Sequence, residues 1–285
     1  MTLPATPDTG PDTGPDTGPY AEVIGDPVSH SKSPLIHNFW LDKLGIDAEY
    51  RAHHVVADNL QTYFEARARD DNWRGCNITL PHKIAALDHV CDPGGIRASI
   101  GAVNTVFRDE RGALTGTNTD VGGFFLPIAD LPLAGKKAIV VGAGGAARAV
   151  VFALKQAGIG EVTMLARSAL KAAGLLAQFG IKGDILPMDA VLPKATLLVN
   201  CSPLGMEGQP QLELDLSPLP EDALVYDIVY TPLDTGLLKA ARACGLASVD
   251  GMDMLIGQAA LAFELFFEQA PPPGHEDELR ERLLA

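Results

Sequence analysis

Short apolar runs alternate with longer amphipathic runs along most of this chain. From Tyr20 onward, a run of strand length is followed by a run of helix length, and the pair repeats up to residue 80. The segments AEVIG, AEYRAHHVV and GCNITL predict strands, and residues 34–44 and 60–69 predict the helices between them. Alternating strands and helices predict a parallel sheet that is covered by helices.

The next two runs, VNTVFR and ALTGT, are strand-like and lie close together. Residues 109–112, DERG, join them with residue types that are typical of a tight turn. We therefore expect a β-hairpin here. Its antiparallel strands make the predicted first sheet mixed rather than purely parallel.

The alternation of strand and helix patterns restarts after LPLAGK, residues 131–136. The runs KKAIVVGAGG, EVTMLA, ATLLVNCS and ALVYDIVY predict strands. Residues 169–178 and about 233–243 predict helices, the second of which ends at Gly245. The last long apolar run, MDMLIGQAALAFELFF, has no strand after it. We expect it to form a helix that returns to the first sheet.

The composition indicates a globular protein whose ligand is small. Hydrophobic residues make up 47% and charged residues 20% of the 285 positions, and this length favours about two domains. A net charge of −14 disfavours nucleic acid and anionic membranes as partners. Arg148 or Glu264 interrupts the longest apolar runs before about 18 residues, so no membrane span is expected. Three PDTG repeats at residues 7–18 predict a disordered tail.

Cysteine and histidine spacing favours neither a disulfide framework nor a metal site. Cys76, Cys91, Cys201 and Cys244 include no CxxC pair, so we expect free and mostly buried thiols. The seven histidines show no HExxH or similar spacing, and no metal is predicted. Free thiols and the absence of a signal pattern predict a cytoplasmic location.

A glycine-rich turn lies between a predicted strand and a predicted helix. Gly142, Gly144 and Ala147 form GxGxxA, in which the first glycine permits a tight turn and the second lets backbone amides approach a pyrophosphate. The helix N-terminus adds positive potential for the anion. A plain glycine-rich turn is the alternative. The residues of this turn that we expect to bind a dinucleotide are Gly142, Ala143, Gly144, Gly145, Ala146 and Ala147.

The residues after the next predicted strand indicate which dinucleotide is bound. An acidic residue there would bind the free 2′-hydroxyl of NAD, whereas this chain has Arg167 and Ser168. A guanidinium and a hydroxyl suit a 2′-phosphate, and Lys171 adds a second cation. NADP is therefore the predicted cofactor, and an exposed arginine in a polar loop is the alternative.

Seven segments stand in the same order as the signature segments of one enzyme family. They are IGDPVSHSKSP, NITLPHK, GAVNT, NTD, GAGGAAR, VYDIVY and DGMDMLIGQA. From about Val23 to Phe267 the chain thus resembles shikimate dehydrogenases. The resemblance implies reversible hydride transfer between NADP(H) and shikimate or 3-dehydroshikimate, in the biosynthesis of aromatic amino acids.

The resemblance also implies a domain arrangement for this α/β chain. Residues 20–122 together with 251–285 would form a mixed-sheet substrate domain, to which the C-terminal helix returns. Residues 123–250 would form a Rossmann-like, doubly wound NADP domain. Residues 1–19 are the predicted disordered tail.

Two catalytic residues follow from the resemblance, Lys83 in NITLPHK and Asp120 in NTD. A lysine can take the proton of an alcohol during oxidation and return it during reduction. Asp120 would orient Lys83 and hydrogen-bond the reacting hydroxyl. We expect Lys83 in the first turn of a helix that Pro81 opens. Surface charge or a helix N-cap is the alternative role for either residue.

Two serines and a tyrosine match positions that hold or enclose the substrate in the family. Ser31 and Ser33 match hydroxyls that bind the substrate carboxylate, although Ser33, which precedes Pro34, is equally suited to cap a helix. Tyr230 matches a tyrosine that closes the site from the cofactor side. An ordinary aromatic residue at a strand end is its alternative.

Four further polar residues match positions around the substrate hydroxyls. They are Asn77, Thr79, Asn104 and Gln258. Asn77 and Thr79 alternate along a predicted strand and share one face. Asn104 lies inside an apolar strand and needs a partner there. Gln258 has the alternative role of a hydrogen bond within helix packing.

The chain departs from the family pattern at two positions and leaves two other functions open. His82 occupies a position that is often aromatic in the family. Lys171 replaces a common second arginine, and because a lysine holds a phosphate less rigidly, the preference for NADP over NAD is expected to be modest. A quinate/shikimate dehydrogenase that uses NAD is one alternative, which Arg167 disfavours. A non-catalytic NADP-binding regulatory module is the other, which Lys83 and Asp120 disfavour. The sequence is compatible with a monomer or a homodimer.

Overall fold

The first half of the chain forms a five-stranded mixed sheet. The structure is a computed structural model that describes residues 18–284, so the predicted tail lies outside the described residues except for positions 18 and 19. The strands are β1 (Tyr20–Gly25), β2 (Glu49–His54), β3 (Trp73–Ile78), β4 (Thr105–Arg108) and β5 (Leu114–Thr117). Their order in the sheet is β2-β1-β3-β4-β5. Because β1 is parallel to β2 and β3 while β4 is antiparallel to β3 and β5, the predicted hairpin and mixed sheet are confirmed.

Helices pack on both faces of this sheet. α1 (Ser33–Leu44) lies on one face and α2 (Leu60–Arg67) on the other, and the same half of the chain also contains α3 (Ile96–Ser99) and α4 (Asp120–Phe125). Successive side chains of a strand point to opposite faces. Accordingly Ala21 and Val23 join a buried cluster with α1, whereas Tyr20 and Ile24 join a buried cluster with α2. β1, which lies between β2 and β3, is therefore a fully buried interior strand of this sheet.

The second half forms a six-stranded sheet in which all neighbouring strands are parallel. Its strands are β6 (Lys137–Val141), β7 (Glu161–Leu165), β8 (Ile185–Leu186), β9 (Leu197–Asn200), β10 (Leu224–Asp227) and β11 (Ala247–Val249). Its helices are α5 (Gly145–Gln156), α6 (Ala169–Phe179) and α7 (Gly236–Ala243). The strand order β11-β10-β9-β6-β7-β8 confirms the doubly wound prediction. In such sheets ligands bind beyond the carboxyl ends of the strands where the winding reverses, here β6 and β9.

The chain ends with two helices on the first sheet, α8 (Gly251–Phe267) and α9 (Glu276–Leu284). α8 packs on β3 and β4 and against α1 and α4, which confirms that this helix returns to the first half. Phe263 and Phe266 are buried there together with Trp40 of α1. α9, which the sequence patterns did not predict, buries Leu279 and Leu283 in the same cluster.

Several predicted boundaries are wrong by a few residues. Residues 81–84 form turns, followed by a 3-10 helix at Ala85–His89, so Pro81 opens no α-helix. The carbonyl of Lys83 accepts a hydrogen bond from the backbone N–H of Val103 at 2.8 Å instead of from a helical turn of its own. α7 begins at Gly236 rather than near residue 233, because Thr235 caps it by accepting a hydrogen bond from the Leu238 N–H.

The cysteines differ in part from the prediction. All four cysteines are free, as predicted, but Cys91 and Cys244 are exposed, so the thiols are not mostly buried. Within residues 18–284, none of the helices combines the length and the hydropathy that a bilayer crossing requires. Over the same residues, no three His, Cys, Asp or Glu side chains come together closely enough to hold a metal ion.

Candidate active site

Lys83 and Asp120, which lie far apart in the sequence, form an ion pair. Lys83 is in the turn after β3, and Asp120 is the first residue of α4. Nζ of Lys83 lies 2.5 Å from Oδ2 of Asp120, and the two side chains are only 15% and 7% exposed. Because both charges are largely removed from water, each charge depends on its partner for stabilisation more than a charge in an exposed pair does. The geometry brings together the two residues that the resemblance implies to be catalytic.

Asn104 fixes the other oxygen of the Asp120 carboxylate. Its Nδ2 donates to Oδ1 of Asp120 at 2.8 Å, and its Oδ1 accepts from the backbone N–H of Thr119 at 2.7 Å. Asn104 is buried and lies one residue before β4 rather than inside it. Its polar atoms are satisfied by this network, as the sequence required of a buried asparagine.

The same network extends across the first sheet through Thr105 and Asn77 to Tyr50. Nδ2 of Asn77 donates to Oγ1 of Thr105 at 3.0 Å, and Oγ1 of Thr105 donates to Oδ1 of Asn104 at 3.0 Å. The hydroxyl of Tyr50 donates to Oδ1 of Asn77 at 2.6 Å. Burial raises the pKa of Tyr50 well above its ordinary value, so it acts as a neutral donor.

The two serines lie at the start of α1, but neither is its N-cap residue. Lys32 occupies that position and Ser33 is the first helical residue, so the cap interpretation of Ser33 is wrong by one position. Oγ of Ser31 accepts a hydrogen bond from the Ser33 backbone N–H at 3.3 Å. Ser33 is buried, whereas Ser31 is half-buried. Both hydroxyls therefore sit at a helix N-terminus, which favours an anion.

The remaining substrate-side predictions fall close to this network or at its border. Oε1 of Gln258 lies 3.5 Å from Nδ2 of Asn104, while Nε2 of Gln258 donates to the Leu255 carbonyl within α8. Thr79 follows β3 directly and is one residue outside the strand that was expected to hold it. Tyr230 lies three residues beyond β10 and packs against the buried cluster of α1 and α8.

The sequence assigned no role to two residues near the site. Nothing in the sequence indicated that Tyr50 lies at the site, because an aromatic residue in a strand is ordinary. His82, which the sequence marks only as a departure from the family pattern, is buried, and its Nε2 lies 2.6 Å from the Val55 carbonyl. This contact ties the turn that carries Lys83 to the end of β2.

The glycine-rich turn lies directly against Lys83. Gly142 has φ +100°, a conformation that L side chains rarely adopt, and a Cβ there would come within 3.2 Å of the Cys201 backbone. A Cβ on Gly145, the first residue of α5, would lie 3.4 Å from Cβ of Lys83. The substrate-side ion pair and the start of α5 therefore meet in one cleft between the two sheets.

The turn has the shape that a dinucleotide pyrophosphate requires. Among the described residues, nothing lies within 4 Å of the position that a Cβ on Gly144 would take, so the backbone there is open. The first backbone N–H groups of α5 have no partner within the helix and lie at its positive end. The turn follows β6, at the point where the sheet reverses its winding. These features are the ones that binding of a dinucleotide by residues 142–147 would require.

Two exposed cationic side chains lie just after β7, near the start of α6. Arg167 and Lys171 are exposed, and within residues 18–284 neither side chain forms an ion pair. Oγ of Ser168 caps α6 by accepting from the Lys171 N–H at 3.4 Å, so this hydroxyl also has a structural role. The two cations and the N-terminus of α6 together provide a positive surface beside β7.

The six-stranded doubly wound sheet carries an open glycine-rich turn, and this turn faces a lysine–aspartate pair that the five-stranded sheet holds. The fold and the site together define an oxidoreductase that uses a nicotinamide dinucleotide. The model of the shikimate dehydrogenase substrate binding domain matches residues 23–106, and that of the shikimate 5'-dehydrogenase C-terminal domain matches residues 251–284. The shikimate dehydrogenase (NADP(+)) of Sphingopyxis alaskensis is 63% identical over 266 residues, which cover 93% of this chain and 97% of the relative. The chain belongs to the shikimate dehydrogenase family.

Solved structures agree with this assignment. The shikimate 5-dehydrogenase of Thermus thermophilus in complex with NADP(H) and shikimate has a TM-score of 0.82 and 39% identity, over 93% of this chain and 100% of that one. The quinate dehydrogenase of Corynebacterium glutamicum in complex with NAD has a TM-score of 0.81 and 31% identity, over 94% and 99% of the two chains. Shikimate dehydrogenases and quinate dehydrogenases, the two enzyme functions that the sequence leaves open, thus share this fold.

Proposed function

We propose that this chain is an NADP-dependent shikimate dehydrogenase, which catalyses the reversible reduction of 3-dehydroshikimate to shikimate. The observation that carries the proposal is the placement of the Lys83–Asp120 pair against the start of α5. Residues 20–122 with 251–285 act as the substrate domain and residues 123–250 as the cofactor domain. The relatives named above are the support for NADP and for shikimate as ligands.

Lys83 and Asp120 manage the proton of the reacting oxygen. As shikimate is oxidised, the neutral amine form of Lys83 takes the proton from the alcohol and becomes the ammonium that pairs with Asp120. In the reverse direction this ammonium returns a proton to the oxygen of the ketone and becomes the amine again. Asp120 holds Nζ through Oδ2, while Asn104 holds Oδ1, so the lysine approaches the substrate from one fixed direction. When NADP is bound, it supplies the hydride acceptor or donor for this reaction.

The other predicted residues bind and orient the two ligands. Ser31 and Ser33 hold the carboxylate at the start of α1, and Tyr230 closes the site from the cofactor side. Asn77, Thr79, Asn104 and Gln258 hydrogen-bond the ring hydroxyls. The turn of residues 142–147 holds the pyrophosphate, and Arg167, Ser168 and Lys171 hold the 2′-phosphate.

Steady-state kinetics with the purified full chain tests the proposal. Oxidation of shikimate and quinate is measured with NADP⁺ and NAD⁺, and the highest kcat/KM is expected for shikimate with NADP⁺. A preference for quinate with NAD⁺ would favour the alternative that the Corynebacterium glutamicum structure represents. NADPH binding without any turnover of 3-dehydroshikimate would instead indicate the regulatory module.

A lysine variant tests the proton transfer. Lys83→Ala is expected to lower kcat about 10²- to 10⁴-fold, the usual contribution of general acid–base catalysis, with a smaller change in KM. Lys137→Ala is the matched control, because Lys137 forms a 2.8 Å ion pair with Glu161 at a site where the lysine is 57% exposed. The control should turn over like the wild type. Wild-type turnover by Lys83→Ala would remove this residue from the mechanism.

The cytoplasmic location and the monomeric or homodimeric state remain predictions.

A further inference from the structure

One buried carboxylate in the second sheet has no part in the proposed proton transfer. Asp227 is the last residue of β10 and is fully buried. Its Oδ1 accepts from Nδ2 of Asn200 at 2.9 Å and from the Val229 backbone N–H at 3.1 Å. Its Oδ2 accepts from the Thr235 hydroxyl at 2.7 Å. Within residues 18–284 no ion pair involves this carboxylate, so hydrogen bonds alone stabilise it.

The partners of Asp227 belong to three segments at the carboxyl edge of the sheet. Asn200 ends β9 and turns the next loop, since its Oδ1 accepts from the Ser202 N–H at 3.0 Å. Thr235 caps α7. Residues 228–235, which we name the Tyr230 loop, begin at the Asp227 carboxylate and end at Thr235. This loop also accepts a hydrogen bond at its Thr231 carbonyl, from the Glu207 N–H at 2.9 Å.

The Tyr230 loop is also in contact with the start of α8. A Cβ on Gly251 would lie 2.4 Å from the Ile228 carbonyl oxygen and 2.6 Å from the Val229 carbonyl oxygen, so only glycine fits there. The backbone of the loop is therefore enclosed between Asp227 and α8. Tyr230 itself extends to the buried cluster of the first half.

Such a carboxylate is costly to bury, and its environment shows what offsets the cost. Burial raises the pKa of Asp227, and hydrogen bonds from Thr235, Val229 and Asn200 oppose that rise. All of these partners donate, which suits the ionised form, because a protonated carboxyl would need an acceptor. Hydrogen bonds to a charged acceptor are shorter and stronger than neutral ones, so an anion fixes the loop more rigidly than an amide would.

We propose that Asp227 is a positioning residue that fixes the Tyr230 loop between the two domains, so that the Tyr230 hydroxyl is already placed for the substrate. The inference rests on the proposed function, which gives Tyr230 its role at the substrate. Asp227 acts through Tyr230 and not on the reacting atoms. The variant that isolates the charge is Asp227→Asn, which keeps the shape of the side chain and one acceptor oxygen.

Two measurements on the full chain test this inference. In hydrogen exchange of the ligand-free protein, Asp227→Asn is expected to speed exchange at Val229 and Glu207 at least about tenfold, because their N–H groups lose protection when the loop opens. The turn at residues 142–147 should be unaffected. In kinetics, kcat/KM for shikimate should fall about tenfold, with KM rising more than kcat falls.

A double-mutant cycle separates positioning from general destabilisation. Tyr230→Phe removes the hydroxyl that Asp227 is proposed to place. In this background Asp227→Asn should lower kcat/KM less than about twofold, because the two changes act on one interaction. Asp215→Asn is the matched control, since Asp215 is a surface carboxylate that accepts from the Ser217 N–H at 3.0 Å. The control should alter neither exchange nor kinetics.

The outcomes of these experiments decide the inference separately from the proposed function. Unchanged exchange in the Tyr230 loop, or a tenfold loss of kcat/KM that persists in the Tyr230→Phe background, would overturn it. If Asp227→Asn does not fold, Thr235→Val removes one of the same hydrogen bonds and should again speed exchange at Val229. If the wild type does not turn over shikimate, the proposed function fails, while hydrogen exchange still tests the role of Asp227 in fixing the loop.

Discussion

A buried histidine beside the substrate residues makes stability depend on pH. His37 lies in α1, is fully buried and stacks on Tyr50 with ring centroids 3.9 Å apart. Within residues 18–284 neither of its ring nitrogens has a hydrogen-bond partner. Burial lowers the pKa of His37 from 6.5 to about 3. The folded protein therefore holds a neutral imidazole at pH values where the unfolded chain is protonated.

The sign and the size of the effect follow from this difference in pKa. Below pH 6.5 the unfolded state binds a proton that the folded state excludes, so the free energy of unfolding falls as the pH falls, until His37 also titrates in the folded state near pH 3. The loss is about 1.4 kcal/mol per pH unit, or about 2 kcal/mol at pH 5 relative to pH 8. Well above pH 6.5 the contribution is constant.

The variant His37→Phe removes the titration and keeps an aromatic ring in the cluster. Urea unfolding followed by circular dichroism at pH 8 and pH 5 gives the free energy of unfolding of each protein. The loss between these two pH values should be about 2 kcal/mol smaller for His37→Phe than for the wild type. The measurement at pH 8 reports the packing cost alone.

A second variant in the same cluster controls for packing. Trp40→Phe changes the volume beside His37 but removes no titratable group, and Trp40 lies 5.7 Å from the His37 ring. Its free energy of unfolding should change with pH in parallel with that of the wild type. Equal losses between pH 8 and pH 5 for His37→Phe and the wild type would refute the assignment of a depressed pKa.

Two further predictions concern the cofactor residues. Gly144→Ala should fold with a free energy of unfolding within about 1 kcal/mol of the wild type, because its Cβ meets nothing among the described residues. The same Cβ should weaken NADP⁺ binding about tenfold or more, because it fills the space of the pyrophosphate. Thermal unfolding and fluorescence titration measure both, and unchanged affinity would contradict the dinucleotide site. Arg167→Ala should raise KM for NADP⁺ about 10- to 100-fold and leave KM for NAD⁺ nearly unchanged, since only NADP⁺ carries the 2′-phosphate. Equal changes with both cofactors would contradict this role.

The sequence predicted those parts of the molecule in which a local pattern has a local cause. Gly142 illustrates this, because a strand, a residue that must adopt positive φ and a helix N-terminus are all encoded within a few positions. The order of elements likewise followed from hydrophobic periodicity. The ion pair of Lys83 and Asp120 was anticipated only through the family resemblance, since no local pattern brings residues this far apart together.

The parts that the sequence did not predict depend on contacts between distant segments. Tyr50 reaches Asn77 because β2 and β3 flank β1, and strand order is not encoded in the strand itself. The turn at Lys83 replaces a helix because the Val103 N–H binds its carbonyl. α9 is mostly charged, and its two buried leucines matter only because α1 is present to receive them.

The return of α8 to the first sheet has a consequence for the order in which the chain matures on the ribosome. The second sheet is continuous in sequence, so its apolar surfaces can be closed as soon as its last strand emerges from the exit tunnel. The first sheet is made earlier, but the face that carries α1 stays only partly covered until residues 251–267 have been translated. The half of the molecule that is synthesised first is thus the half that is completed last.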